Sequence, residues 1–161
     1  MAVDRLLKLL IDDARKTPAQ LAELLGLPED AVRRKIDEYE KSGTILYYRT
    51  IINEEKLTTP VCSALIEVKV QPERGVGFET VADRIAQFPE VKDVYLLSGD
   101  YDLQVLVEGK SMQEVAAFVA QKLSTLKRIN GTHTHFVLKK YKIDNALLSA
   151  QPGDQQLAVT P

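Results

Sequence analysis

Apolar positions recur at helical spacing over the first 43 residues and with a period of two over much of the remaining chain. Leu6, Leu7, Leu9, Leu10 and Ile11 stripe a first helix, with Asp12, Asp13 and Lys16 near its end. Thr17-Pro18-Ala19-Gln20 opens a second: Thr17 can cap and Gln20 can reach back. Pro18 occupies the first helical position, where its missing N–H leaves nothing unbonded. Leu21, Leu24 and Leu25 form the predicted buried face, and Gly26 ends the helix. A third helix is expected from Pro28 to Ser42, stopped by Gly43, with Val32, Ile36 and Tyr39 as a narrow inward stripe. Two helices joined by a tight Gly26-Leu27 connection, after a supporting helix, describe a helix-turn-helix unit. By pattern alone, any small three-helix bundle fits as well.

Beyond Gly43 the β-branched and aromatic run Ile45–Ile52 predicts a linking strand, and the polar stretch from Asn53 to Pro60 a hinge. A strand is expected from Val61 to Val70, then a helix marked by Phe78, Val81, Ala82 and Ile85 and stopped by Pro89. Val91–Leu97 and Tyr101–Val107 read as strands joined by the hairpin signal Ser98-Gly99-Asp100. Ser111-Met112-Gln113-Glu114 is a capping box before a helix with Val115, Phe118, Val119, Leu123 and Leu126 inward. Thr132–Tyr141 supplies the last strand. The order βαββαβ is that of a ferredoxin-like sandwich, so the chain is expected to be α+β. Residues 1–43 form the helix-turn-helix, 44–60 the linking strand and hinge, 61–142 the sandwich, and 143–161 a flexible tail. Helices cover one face of the sheet. The other is expected to show Ile, Val and Tyr to a partner, most simply a second copy, making a homodimer.

Composition narrows the class. With 161 residues, 45% hydrophobic and 27% charged, the chain is globular rather than disordered. No apolar run is long enough to span a membrane, and the charged N-terminus is not a signal peptide. A single cysteine, Cys62, excludes an internal disulfide framework and any multi-cysteine zinc site, which suits a reducing cytoplasm. The net charge is -2. Residues 1–60 hold ten Lys/Arg and eleven Asp/Glu, so the helical region is not basic and does not look like a nucleic-acid coat.

Candidate chemistry is sparse. Glycine and Asp100 make Gly99-Asp100-Tyr101-Asp102 a good turn, with Asp102 at a strand start. His133 and His135, two apart on a strand, share a face and could hold a metal with Asp100 or Asp102. Paired histidines on a sheet are more often solvated or interface residues, so no metal is expected. No paired carboxylates, activated nucleophile or phosphate loop is recognisable; Gly75-Val76-Gly77 lacks the third glycine of a dinucleotide loop. Neither catalytic residue nor cofactor is expected.

Three segments together resemble the Lrp/AsnC (leucine-responsive, feast/famine) transcriptional regulators. ARKTPAQLAELLGLPEDAVRRKIDEYEKSGTI is similar to the family's second and third helices, LLSGDYDL to its hairpin signature, and INGTHTHFVL to its threonine-x-threonine strand. The match runs from about Asp4 to Lys142 in family order. The resemblance implies a winged helix-turn-helix that reads double-stranded DNA. It also implies a RAM-type ferredoxin-like domain that dimerises, associates to octamers and binds a small molecule, usually an amino acid. Pro28–Ser42 is then the recognition helix, with Asp30, Arg34, Asp37 and Lys41 outward and Arg33 and Lys35 on its flanks. Arg33 and Arg34 are the expected base or phosphate contacts, and Lys35, Lys41 and Arg49 the backbone contacts. Pro28, Glu29 and Asp30 replace the serine or threonine that usually starts this helix, and carboxylates there repel phosphate. Affinity is therefore expected from several tethered heads.

The implied effector site comprises Leu96, Gly99, Asp100, Tyr101, Asp102, Met112, Thr134, His135 and Phe136. A carboxylate there could pair with an α-amino group. His135 stands where an aromatic or aliphatic residue is usual, so leucine specificity does not carry over, and a polar effector or none is expected. Two alternatives stay open: an effector-sensing partner of a paralogous regulator that does not itself bind DNA, and an enzyme like the siroheme decarboxylases, which share this architecture.

Overall fold

A computed structural model describes residues 4–71 and 77–148; their contacts divide the chain into two compact units, meeting between Thr50 and Ile51. In the first unit, α1 (Arg5–Asp12), α2 (Pro18–Leu25) and α3 (Glu29–Lys41) enclose a small core. Leu6, Leu10, Leu21, Ala22 and Val32 are buried, and Leu9, Leu25, Ile36 and Tyr39 pack against them. The expected stripe of α3 therefore points inward. On α2 the inward residues are Leu21, Ala22 and Leu25, whereas Leu24 is 47% exposed. At about 100° per residue, positions 21, 22 and 25 lie on one side and position 24 turns away.

Local chemistry sets the helix ends. Thr17 Oγ1 accepts from the Gln20 N–H at 3.3 Å while Gln20 Oε1 accepts from the Thr17 N–H at 2.9 Å, a complete capping box. Gly26 closes α2 with φ 67°, left-handed backbone that a side chain would strain. Pro28 precedes α3 and gives it no side-chain cap, leaving Glu29 and Asp30 to face the helix dipole.

Ile45–Ile52, expected as a linking strand, belongs to no strand among the described residues. Leu46 is 82% exposed, and Tyr47, Tyr48, Ile51 and Ile52 are exposed too. Strand propensity reflects fit to a neighbouring strand, and the described residues supply none to this segment.

In the second unit, Asn53 caps a single 3₁₀ turn, Glu54–Lys56, ahead of the sheet. Strands β1 (Cys62–Val70), β2 (Val91–Leu96), β3 (Leu103–Gly109) and β4 (Ile129–Phe136) form one antiparallel sheet in the order β2-β3-β1-β4. Helices α4 (Glu79–Ala86) and α5 (Met112–Phe118) lie in the two crossovers, and α5 runs on through a π turn, Val119–Leu123. This is the ferredoxin-like arrangement. Ala64, Ile66, Val68 and Val70 of β1 and Leu103, Val105 and Val107 of β3 meet Val81, Ile85, Val115, Phe118 and Leu123 in the core.

The opposite face differs from expectation. Isoleucine and valine of β1 and β3 all face the helices, because the alternation is strict. By register, the open face carries Leu65, Leu106 and Tyr95 among Glu67, Gln104, Glu108, His133 and His135. It is amphipathic rather than apolar.

Strand ends shift as well. β3 begins at Leu103 and β4 stops at Phe136, short of Tyr141. At the junction of the expected sandwich and the expected flexible tail, β5 (Lys142–Ile143) pairs with β6 (Ala146–Leu147). Asp144 and Asn145 turn between them with φ 42° and 69°, the positive pair a two-residue hairpin demands and these residue types tolerate. Residues 149–161 of that tail, and Gly75-Val76 of the predicted glycine turn, lie outside the described residues.

Candidate functional sites

The outer face of α3 carries the predicted DNA-reading residues, and their ion pairs separate them. Arg33 bonds Glu29 one turn earlier, and Lys35 Nζ sits 3.0 Å from Glu38 Oε2 and 5.1 Å from the Tyr39 ring centre. Arg34 and Lys41 are exposed and, among the described residues, pair with no carboxylate. Arg49 lies on the exposed segment after α3. At the back of the helix, Tyr39 donates its hydroxyl proton to Asp4, tying α3 to the start of α1. That bond holds the Asp4 carboxyl below the usual range and pushes the Tyr39 hydroxyl up to about 12.

The second site lies where β1 ends, between the β2–β3 loop and the start of β4. Asp102 is a strut there. Its Oδ2 accepts from the Val70 N–H at 2.8 Å, its N–H donates to the Val68 carbonyl at 3.1 Å, and its carbonyl accepts from the Leu97 N–H at 2.8 Å. Lys69 Nζ lies 3.5 Å from the same Oδ2 and donates to the Asp100 carbonyl at 2.6 Å. Beside this lattice an open cleft of about 500 Å³ is lined by Lys69, Asp100, Tyr101, Asn130, Gly131 and Thr132. Gly99 is not left-handed, unlike Gly26 and Gly43, since the loop spans four residues between Leu97 and Asp102 rather than two.

The residues matched to the family's effector site do not all converge within one copy. Asp100 and Tyr101 line the cleft, with Gly99 and Asp102 in the same loop. Phe136 pairs with Ala64 at the far end of β1, and Met112 comes after the far end of β3, about 20 Å along the strands. Leu96, 61% exposed, pairs with Leu103 at the hairpin end. Thr134 and Phe136 point to the helix side, and His135 to the opposite face. Lys69, Asn130 and Thr132 escape a motif reading, because only the central place of β1 brings them beside the hairpin. A further cleft of about 340 Å³ opens between the hinge and the stretch after β4, lined by Leu57, Val61, Val137 and Leu138. There Lys140 Nζ bridges Glu54 Oε2 at 2.7 Å and Glu108 Oε1 at 3.4 Å.

Comparison with known proteins assigns both units. Residues 63–147 match the model of the Lrp/AsnC ligand binding domain, and residues 5–45 that of a winged helix-turn-helix DNA-binding domain. The chain belongs to the Lrp/AsnC family. A relative named as an uncharacterized HTH-type transcriptional regulator, YugG of Bacillus subtilis (strain 168), is 43% identical over 157 residues, covering 97% of this chain and 95% of that protein. The leucine response regulatory protein LrpA of Mycobacterium tuberculosis shares the fold with a TM-score of 0.76 at 22% identity, over 91% of this chain and 99% of that one. So does NMB0573 of Neisseria meningitidis, solved as an L-Met complex, with a TM-score of 0.71 at 23% identity over 88% and 94%. This Lrp/AsnC protein is a DNA-binding transcriptional regulator with a ligand-binding domain. None of its described helices is long and apolar enough to cross a membrane.

Proposed function

We propose that this regulator reads double-stranded DNA chiefly through Arg34, with Arg33, Lys35, Lys41 and Arg49 in support. Its effector is an amino acid held at the hairpin end of the sheet, and it works in the cytoplasm as a homodimer assembling to an octamer. The observation that carries the DNA reading is Arg34, exposed on the outer face of α3 and, among the described residues, unpaired with any carboxylate. Arg33 must first leave Glu29. Support for assembly comes from Leu46–Ile52, whose aromatic and aliphatic side chains stand exposed on a segment that belongs to no strand among the described residues. In the cleft, Lys69 suits an α-carboxylate and the Asp100 carboxylate an α-amino group, and NMB0573 was solved with an amino acid bound.

Gel shifts test the DNA reading. The full chain should bind about 10²–10⁴-fold more tightly than the isolated segment Met1–Asn53, because linked heads raise effective concentration. Arg34→Ala should weaken the full chain by about 1–3 kcal/mol, and Arg33→Ala by less. Equal binding by the isolated head, or an unaffected Arg34→Ala variant, would refute it. A thermal-shift screen of amino acids and keto acids tests the effector; a genuine ligand raises the melting temperature by linkage and loses that shift in Asn130→Ala.

The acidic first turn, with Glu29 engaging Arg33, also favours a second reading as an effector-sensing partner of a paralogous regulator. Genomic footprinting without protected sites would select it. We read the chain as having no enzymatic role and no cofactor; a porphyrin-like absorbance band on purification would reopen the siroheme-decarboxylase alternative.

A further inference from the structure

We propose that Glu67, His133 and His135 bind one zinc ion per chain on the open face of the sheet. None of the three lines the hairpin cleft, although the Tyr101 ring of that cleft stands 6.4 Å from the His133 ring, centre to centre, and the proposal does not rest on the effector assignment. Strand alternation sends His133 and His135 to the same side of β4, and the β1–β4 register sets Glu67 directly opposite His133. Glu67 Oε2 lies 3.3 Å from His135 Nε2 and 3.9 Å from His133 Nδ1, and the three donor atoms all lie within 4.8 Å of one another. Two ligands of a tetrahedral zinc ion, each bonded at about 2.0–2.2 Å, stand about 3.4 Å apart. The Glu67–His135 separation already meets this, the Glu67–His133 separation is about half an ångström longer, and the two imidazole nitrogens, within 4.8 Å of each other, close on the ion by side-chain rotation.

The surroundings favour a cation over a simple ion pair. Among the described residues no lysine or arginine bonds Glu67, whose partners are the two imidazoles alone. The imidazole rings lie with centres 4.5 Å apart and planes 37° apart, so both can present nitrogen to the one carboxylate. Two neutral nitrogens and one carboxylate form a donor set suited to zinc and leave the fourth tetrahedral position to water. The ladder between β1 and β4 holds the three backbone positions fixed. The side chains are 51–61% exposed at the histidines and 29% at the glutamate, so metal can enter from solvent.

Zinc titration into chelator-treated full-length protein, followed by calorimetry, tests the site, with cobalt as a spectroscopic probe. One equivalent should bind per chain, and cobalt should give the visible bands of a four- or five-coordinate ion. His135→Ala and Glu67→Gln should each weaken zinc by at least about tenfold, the lower end of what loss of an outer-shell partner costs. The exposed positions make misfolding easy to exclude, by an unchanged circular-dichroism spectrum and melting temperature without metal. Absence of both heat and cobalt bands would overturn the proposal and leave a plain Glu–His hydrogen-bonded cluster. So would wild-type affinity in a His133→Ala/His135→Ala variant, or an intense thiolate band pointing to Cys62.

Discussion

The helical head and the sheet domain solve the same problem with unequal means. Among the described residues the head closes over five buried side chains, all between Leu6 and Val32, and fixes the starts of α1 and α2 with side-chain caps. The sheet domain buries twelve hydrophobic side chains among the described residues, and its strand β1 joins β3 and β4 across long sequence separations. Stability in the head is thus local and thin, while in the sheet domain it is distributed. Both carry their candidate chemistry on surfaces that burial does not need: the outer side of α3 in one, the hairpin end and the open sheet face in the other.

A matched pair of core truncations gives the largest expected separation of the two units. Leu21 and Leu103 are both fully buried. Replacing either with alanine should cost about 2–5 kcal/mol. About 50 residues of ordinary domain hold only some 2.5–7.5 kcal/mol in total. Leu21→Ala should therefore melt the head near working temperature while the sheet persists, and Leu103→Ala should lower the sheet's transition without abolishing it. Hydrogen exchange read by mass spectrometry would show fast exchange confined to residues 5–41 in Leu21→Ala. One transition shifting as a whole in both variants would erase the distinction.

That local-versus-distributed contrast also governs what could be read from sequence. The Thr17–Gln20 box and the Gly26 cap were legible because every partner lies within a few residues. So was the βαββαβ order, since each element carries its own period. Leu24 is exposed because angle around α2, not leucine identity, sets which residues face inward. No strand forms at Ile45–Ile52 among the described residues, because strand formation needs a neighbouring edge that a run of β-branched and aromatic residues does not itself provide. Glu67 could not be linked to His133 by motif: their meeting is a matter of register between β1 and β4. The Asp144-Asn145 turn was in plain view but was masked by the low periodicity of the segment around it.

A smaller effect sharpens the sheet's side of the comparison. Asp102 reads from sequence as a ligand carboxylate, yet its Oδ2 is committed to the Val70 N–H and to Lys69. A hydrogen bond to a charged group contributes about 1.5–3 kcal/mol, so Asp102→Ala should lower the sheet unit's unfolding free energy by about that much, with or without effector. Asp102→Asn keeps an acceptor and should recover part of it. An Asp102→Ala protein of unchanged stability that has lost its effector response would instead assign the carboxylate to the ligand. That is why Asn130→Ala, on the cleft wall, is the cleaner probe of binding.

The smallest effect belongs to the head and arises at the extremes of pH. The Tyr39–Asp4 bond lowers the Asp4 pKa and raises that of Tyr39 to about 12. A carboxyl lowered on folding adds stability above its unfolded value, near 3.9, and loses it as pH falls through the folded value. A phenol raised on folding adds stability below its unfolded value, near 10, and loses it as pH climbs towards about 12. The head's melting temperature should therefore sag below about pH 4 and again between about pH 10 and 12. Both groups are largely solvated, so each sag is shallow. Tyr39→Phe should abolish this residue's contribution to the alkaline sag and reduce the acid one, while the sheet unit's profile stays as it was. If Tyr39→Phe leaves the head's alkaline profile unchanged, the bond between α1 and α3 contributes nothing to the head's stability in solution.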